Sequence, residues 1–553
     1  MTPPPVSPEL ILLNGKFHTM DARLPEAQAV AIYHGQILAV GDDDTIGAMA
    51  GASTQKIDLD GRLGLPGMLD AHFHFYEWAR IRKQLYLADV ASLAVCLDRI
   101  HAAASDKKPG EWIVGQGFNE SDWPENRIPT RRDLDKAAPD HPVIIWRCDL
   151  HLAVANTRAL DLAGVGRETP DPPEGLIQRD THGEPSGILR ELAINLVKES
   201  IPPMTEEAML QAMQEGMQEL HSLGVTGLHD VRLMGGAEGA DALRAWLKLD
   251  ESERLRLRAW VTLPGERIDE AVGLGLRTGF GNNRLRLGHL KYFADGGMGA
   301  RTAWMIAPYV DAGSGMPLTP IDALEPAVAQ ADDAGLAVMI HAVGDRTNRE
   351  LARMFERLAK RKKQSTGGNK IWNANIPHRV EHLQMSRRTD LKTLADLQIA
   401  GCVQPHNLIL DINMIDQCVG EKGRHAYAFR NMLDAGVQLM FSSDCPVADP
   451  NPLAGIHAAV TRQRADGSPA GGWYPNQRVM VDQAIRAYTL TPAIASGAHH
   501  YLGSLSCGKC ADIVVLDQDI YRVASEDILD TGIFLTIFDG DIVFSSGKGT
   551  GRV

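Results

Sequence analysis

Six residues, His72, His74, Lys291, His341, His382 and Asp444, each sit at the polar end of a short apolar run. Imidazoles and a carboxylate in that order are the donors of a buried metal centre, which points to a metallohydrolase. The first pair lies in Leu65-Pro66-Gly67-Met68-Leu69-Asp70-Ala71-His72-Phe73-His74. An extended strand there turns Asp70, His72 and His74 to one face. Two imidazoles so placed can hold one borderline-soft cation such as zinc without a loop folding back. Among 19 histidines a lone His-x-His also fits a surface pair or a hydrogen-bonded core pair. The weight therefore rests on the full set of six.

Residues so far apart need elements that bring them together. Amphipathic helices ending at Gly and followed at once by an apolar strand recur at Leu223-Gly224-Val225, Ala334-Gly335-Leu336, Ala400-Gly401-Cys402 and Ala435-Gly436-Val437. Gly supplies the left-handed conformation that closes a helix. Ahead of Gly224, Thr205 is a cap and Met209, Met213, Met217 and Leu220 mark one face, which reads as core packing. Alternating helices and apolar strands predict a parallel sheet, and about eight such units predict a (β/α)8 TIM-type barrel. The strands are expected at the runs leading into His74, His229, residues 259–263, Lys291, His341, His382, Gln404 and Asp444. The six residues then fall on strands one, four, five, six and eight, whose C-terminal ends converge. Taken alone, His341 or His382 reads better as a core histidine bonded to a backbone carbonyl; taken together the six do not.

The ends of the chain belong to something else. Apolar strands broken by Asn14-Gly15, His34-Gly35 and Gly41-Asp42 suggest hairpins, and a similar pattern returns after Gly503. A composite β-sandwich is expected from residues 1–64 and 495–553, around a barrel over 65–494. About 150 residues separate strands one and two, far beyond an ordinary loop. An insertion at about 80–204, containing Trp112, Trp123, Trp146 and His151, is expected to form a lid or a wall of the substrate pocket.

With 553 residues, 44% hydrophobic, the chain can bury a large core. Its net charge of -14, without a basic run, disfavours nucleic acid and anionic membrane as partners. The N-terminus lacks a basic segment followed by an apolar stretch, and no segment approaches a membrane-spanning length. A soluble cytoplasmic protein acting on a small molecule is expected. Seven cysteines are too sparse for a disulfide framework. Cys507-Gly508-Lys509-Cys510 reads as a turn before the strand Ile513-Val514-Val515-Leu516 rather than as a redox or zinc dithiol.

Five motifs carry a family resemblance: the Leu65 to His74 segment, Lys291-Tyr292-Phe293-Ala294-Asp295-Gly296, His341-Ala342-Val343-Gly344-Asp345-Arg346, Arg379-Val380-Glu381-His382 and Ser442-Ser443-Asp444-Cys445-Pro446. Through them the chain resembles, nearly end to end, the metal-dependent amidohydrolases of family 3, in the branch related to N-substituted formamide deformylase. The resemblance implies the barrel and composite sandwich, and one or two divalent metal ions, zinc foremost. It implies that His72, His74 and Asp444 hold one ion and His341 and His382 a second, bridged by a carboxylated Lys291. A carbamate offers two anionic oxygens where an ammonium would repel cations, and it forms from a neutral amine such as a buried lysine supplies. The alternative is a bare Lys291 paired with Asp295 and a single metal.

The expected reaction is hydrolysis of a non-peptide carbon-nitrogen bond in an amide, N-substituted formamide or cyclic amide by metal-activated hydroxide. Asp444 would move the proton from water to the leaving nitrogen. Asp70 and Glu381 are expected to orient ligand imidazoles, and Asp345 and Arg346 to form an ion pair. His229 and His406 are divided between contact with substrate or oxyanion and structural roles. Phe73, Phe75, Tyr76, Trp78, Trp123 and Trp304 are divided between an apolar pocket and the core. Two other readings stand beside this one, a mononuclear deaminase and a noncatalytic metal-containing regulatory protein. A homodimer is expected on resemblance alone.

Overall fold

Short strands whose outward residues pack under helices, and whose ends carry polar groups, build the element that holds the site. In the computed structural model, which describes residues 7–547 apart from 83, 174, 203, 237 and 367–371, eight parallel strands follow one another in sequence order. They are β1 (Met68–Phe73), β2 (Val225–Asp230), β3 (Arg258–Pro264), β4 (Leu285–Phe293), β5 (Val338–Ala342), β6 (Arg379–His382), β7 (Ala400–Val403) and β8 (Leu439–Phe441). All eight lie where the sequence places them, and together they make the expected TIM-type barrel. The first and last strands are drawn together beyond their ends: Asp444 N donates to the His72 carbonyl at 2.9 Å, and His74 N to that of Cys445 at 2.9 Å. Site residues themselves thus supply the backbone bonds that join β8 to β1.

Alternation along the strands decides what lines the interior. Leu290, Tyr292, Val338, Ile340 and Val380 join Leu351, Phe355 and other helical residues in one outer core. His289 and Lys291, Met339 and His341, and Arg379 and Glu381 consequently face inward. Outside, the helix Asp241–Glu251 buries Ala242, Ala245, Trp246 and Leu249, a single face at helical spacing.

The helix ends are partly as expected. Gly224, Gly335 and Gly436 have φ of +78°, +77° and +85°. Gly401 does not end a helix: it lies inside β7, and the left-handed residue is Gln398 at φ +58°. A side chain at Gly401 would come within 2.7 Å of Leu383 Cδ1, so packing, not turn geometry, calls for glycine there.

The terminal segments form two sheets. One contains Gln36–Gly41, Ala29–Tyr33, Leu10–Leu13 and Gln55–Asp58; the other contains Asp541–Ser545, Ile533–Phe538, Ile513–Leu516, Leu63–Pro66, Lys16–His18 and Glu26–Ala27. Leu12, Val30 and Ile32 of the first share a core with Phe17, Val515 and Ile537 of the second. Leu65 and Pro66 belong to this second sheet, and the barrel begins at Met68. Gly67 makes the passage, since a Cβ on it would lie 2.2 Å from Thr226 Oγ1. His34-Gly35 turns a hairpin, with φ of +48° and +72°. Asn14-Gly15 instead carries the chain from one sheet to the other, and Asp42 caps the short helix Asp43–Gly47 by accepting from Thr45 N.

A second compact unit spans Glu77–Ala212. Its six-stranded mixed sheet runs in the order Gly175–Arg179, Pro185–Glu191, Leu152–Ala155, Val143–Arg147, Ile113–Phe118, Leu85–Tyr86. Val143 and Ile145 pack with Leu93 and Ile100, while Ile144 and Trp146 pack with Leu160 and Val197, so the sheet has a core on each face. No helix among the described residues is long and apolar enough to cross a membrane.

Candidate metal centre

At the end of β1, His72 Nδ1 donates to Glu381 Oε2 at 2.5 Å, and His74 Nδ1 donates to the Val231 carbonyl at 2.8 Å. An acceptor at Nδ1 fixes the tautomer in which Nε2 has the ligating lone pair. Both Nε2 atoms face Asp444 Oδ1, at 3.4 Å from His72 and 3.1 Å from His74. His382 follows with Nδ1 2.9 Å from Gln404 Oε1 and 4.0 Å from Asp444 Oδ2. The ring of His341 lies 4.3 Å from that of His382, centroid to centroid, and its Nε2 is 3.5 Å from the Gly296 carbonyl. Four imidazoles and one carboxylate from β1, β5, β6 and the segment after β8 thus share one small volume.

The backbone is bent to aim them. His382, Leu383 and Asp444 have φ of +70°, +43° and +58°, left-handed conformations costing about 1–2 kcal/mol each outside glycine. Such outliers cluster where surrounding contacts over-determine a functional site.

The ligands differ in their electrostatics. Burial opposes charge on Asp444, yet the imidazoles of His72, His74 and His382 hold its carboxyl well below the usual carboxylate range. Burial pushes His72 well below the ordinary imidazole value, toward the neutral form a metal requires, whereas at His74 the Asp444 carboxylate outweighs burial and raises it. Burial likewise brings Lys291 down to about 8. Its Nζ rests 4.5 Å from the centroid of the Phe293 ring. Lys291 is not paired with Asp295, whose carboxylate is fully used by Trp304 N, Val343 N, Gly344 N and Thr347 Oγ1 at 2.6–2.9 Å.

The fit of this cage to a metal is testable on Asp444. Its Oδ1 is buried and no hydrogen bond reaches it, although two imidazole nitrogens lie within 3.4 Å. Buried carboxylate oxygens are seldom left so. Donors converging without bonding one another are what a shared cation demands, and His72, His74 and Asp444 bring their ligand atoms within 4.8 Å.

The remaining expected residues divide. Asp70 accepts from Ser443 N and His72 N, bracing the ligand strand. His229 is fully buried, with Nδ1 accepting from Arg379 Nη1 at 2.8 Å. Half-buried His406 opens the helix Pro405–Val419 and faces the Asp449 carbonyl at 3.3 Å. Trp123 is 3% exposed in the core of its own unit, packed on Phe118 and donating to the Val90 carbonyl. Half-buried Trp304 follows β4, with the Arg346 guanidinium 4.4 Å over its ring. Asp345 pairs with Arg387 rather than with Arg346. Phe73 and Phe75 are core residues.

Two contributors carry no sequence expectation. Gln404 holds His382, and Arg379 grips Glu381 through Nε to Oε1 at 2.7 Å and Nη2 to Oε2 at 2.8 Å. Arg379's signal is its spacing: two ionisable residues at i and i+2 occupy the inward face of a strand where a barrel normally places apolar side chains.

A family model described as "Amidohydrolase family" matches residues 55–544. The chain is 31% identical to "Protein LONG AFTER FAR-RED 3" of Arabidopsis thaliana, covering 96% of this chain and 90% of that one. It is 28% identical to the N-substituted formamide deformylase of Arthrobacter pascens, covering 96% and 97%. Among solved structures, an uncharacterized metal-dependent hydrolase from Pyrococcus horikoshii OT3 superposes with a TM-score of 0.74 at 27% identity, covering 93% of this chain and 99% of that one.

Proposed function

Since the chain belongs to the amidohydrolase family, we propose that this hydrolase cleaves a carbon-nitrogen bond in an amide, N-substituted formamide or cyclic amide. The observation that carries the reading is Asp444, whose buried Oδ1 lacks a hydrogen bond among imidazoles with their Nδ1 atoms occupied. The similarity to N-substituted formamide deformylase supports the bond class.

His72, His74 and Asp444 would hold one ion, and His341 and His382 another, with Lys291 as a carboxylated bridge. Imidazole and carboxylate donors suit zinc. A bound divalent ion supplies Lewis acidity, lowering the pKa of water and polarising a carbonyl. Asp444 takes the proton released by the attacking water and returns it to the departing nitrogen. Glu381 and the Val231 carbonyl keep His72 and His74 in the ligating tautomer throughout.

A mononuclear deaminase is the second reading, favoured by the compact His72, His74 and Asp444 trio and by the seat of Lys291 Nζ on Phe293. Zinc-loaded protein assayed on N-acyl, N-formyl and amidine compounds with varied nitrogen substituents separates the two. Formate or carboxylate with an amine product supports the amidohydrolase reading; ammonia with neither acid selects the deaminase. No turnover of any amide or formamide overturns the proposal.

A further inference from the structure

We propose that Arg379 is a positioning residue of the metal centre, acting on His72 from beneath by holding both sides of the His72–Glu381 hydrogen bond. The inference rests on the metal-dependent reading above.

Arg379 and Glu381 are 0% exposed and face the interior of a barrel, where apolar packing is the rule. Stability alone does not explain them, because well-packed apolar residues commonly replace a buried ion pair at no loss. Geometry supplies another reason. The guanidinium fixes the carboxylate plane at two points, Nε to Oε1 and Nη2 to Oε2. Nη2 also donates to the Ala71 carbonyl at 2.7 Å. Ala71 directly precedes His72, so one rigid, planar group grips the acceptor of the His72 bond and the peptide that bears its donor. The remaining edge, Nη1, is anchored on His229 Nδ1 at 2.8 Å. Arg379 thereby ties β6 to β1 and β2 just below the cage, and His229 acts as its brace. A lysine at 379 keeps the charge but cannot form the planar two-point contact.

The test is metal affinity and the visible spectrum of the cobalt-substituted protein, measured for wild type, R379K, E381Q and the double variant R379K/E381Q. Loss of an outer partner of a metal-bound histidine costs about 10–100-fold in affinity. R379K is expected to bind Zn2+ about 10–100-fold more weakly and to shift the cobalt absorption. E381Q should do the same, and adding R379K to E381Q should cost little more, because the arginine acts through the carboxylate. A neutral pair, R379M/E381Q, avoids stranding a buried charge and serves if R379K does not fold; it too should bind weakly. A purely structural role would lower the melting temperature of metal-free protein while leaving affinity and spectrum unchanged, which would overturn the proposal. Wild type unable to bind metal would instead overturn the reading beneath it.

Discussion

Asp444 Oδ1 stands 3.1 Å from His74 Nε2, and no hydrogen bond reaches that oxygen. The proposed mechanism gives Asp444 two tasks, binding the ion and moving a proton. Asp444→Asn preserves shape and its backbone bond to His72 while removing basicity. It is expected to fold with near-normal secondary structure and lose about 10²–10⁴-fold in kcat, the usual share of proton transfer. Circular dichroism with steady-state kinetics checks this, and turnover near wild type would exclude the proton role.

Lys291 reports the number of metals. Burial brings its amine to about 8, so an appreciable neutral fraction at neutral pH is open to carboxylation. Protein prepared with bicarbonate and zinc is expected to carry about two equivalents, and Lys291→Ala about one, by elemental mass spectrometry. One equivalent in both would leave Lys291 out of the cage and move weight to the mononuclear reading.

Much of this architecture was legible because barrel strands obey period two and end at polar residues. All eight strands were visible in this way, as was the set of histidines at their ends. Contacts between distant segments were less accessible. The fork from Arg379 to Glu381 is local, but its reach to Ala71 and His229 exists only once three strands stand side by side. Trp123 stays open between pocket and core for a related reason, since a tryptophan in an insertion carries no mark distinguishing the two until its neighbours are known. Asn14-Gly15 shows the limit of turn chemistry: the dipeptide specifies a sharp turn, while the sheets on either side decide whether that turn makes a hairpin.

His221 gives a pH signature away from the metal. It is 2% exposed, donates from Nε2 to the Arg256 carbonyl, and is pushed down by burial to about 4. Between about pH 4 and 6.5 the unfolded chain binds a proton there that the folded chain does not, so stability rises with pH across that window and is lost on acidification. The difference corresponds to about 3 kcal/mol. His221→Gln retains an N–H donor without titrating and should flatten the dependence of melting temperature on pH from 4 to 6.5. An identical slope in both proteins would refute this assignment.

Gly344 offers a steric test of the loop after β4. Asp295, just past the end of β4, receives backbone N–H groups from Val343, Gly344 and Trp304, drawing the Trp304 loop against the segment after His341. The approach is close enough that a Cβ on Gly344 would lie 2.0 Å from the Trp304 carbonyl oxygen, which is backbone and cannot rotate aside. Gly344→Ala must therefore displace that loop or the peptide behind His341. Overpacking of this kind costs about 1–3 kcal/mol, and both segments adjoin metal-centre residues. A lower melting temperature is expected together with weaker zinc binding, read by thermal unfolding and competitive chelation. Unchanged stability would show that the two segments are not held as tightly as this contact requires.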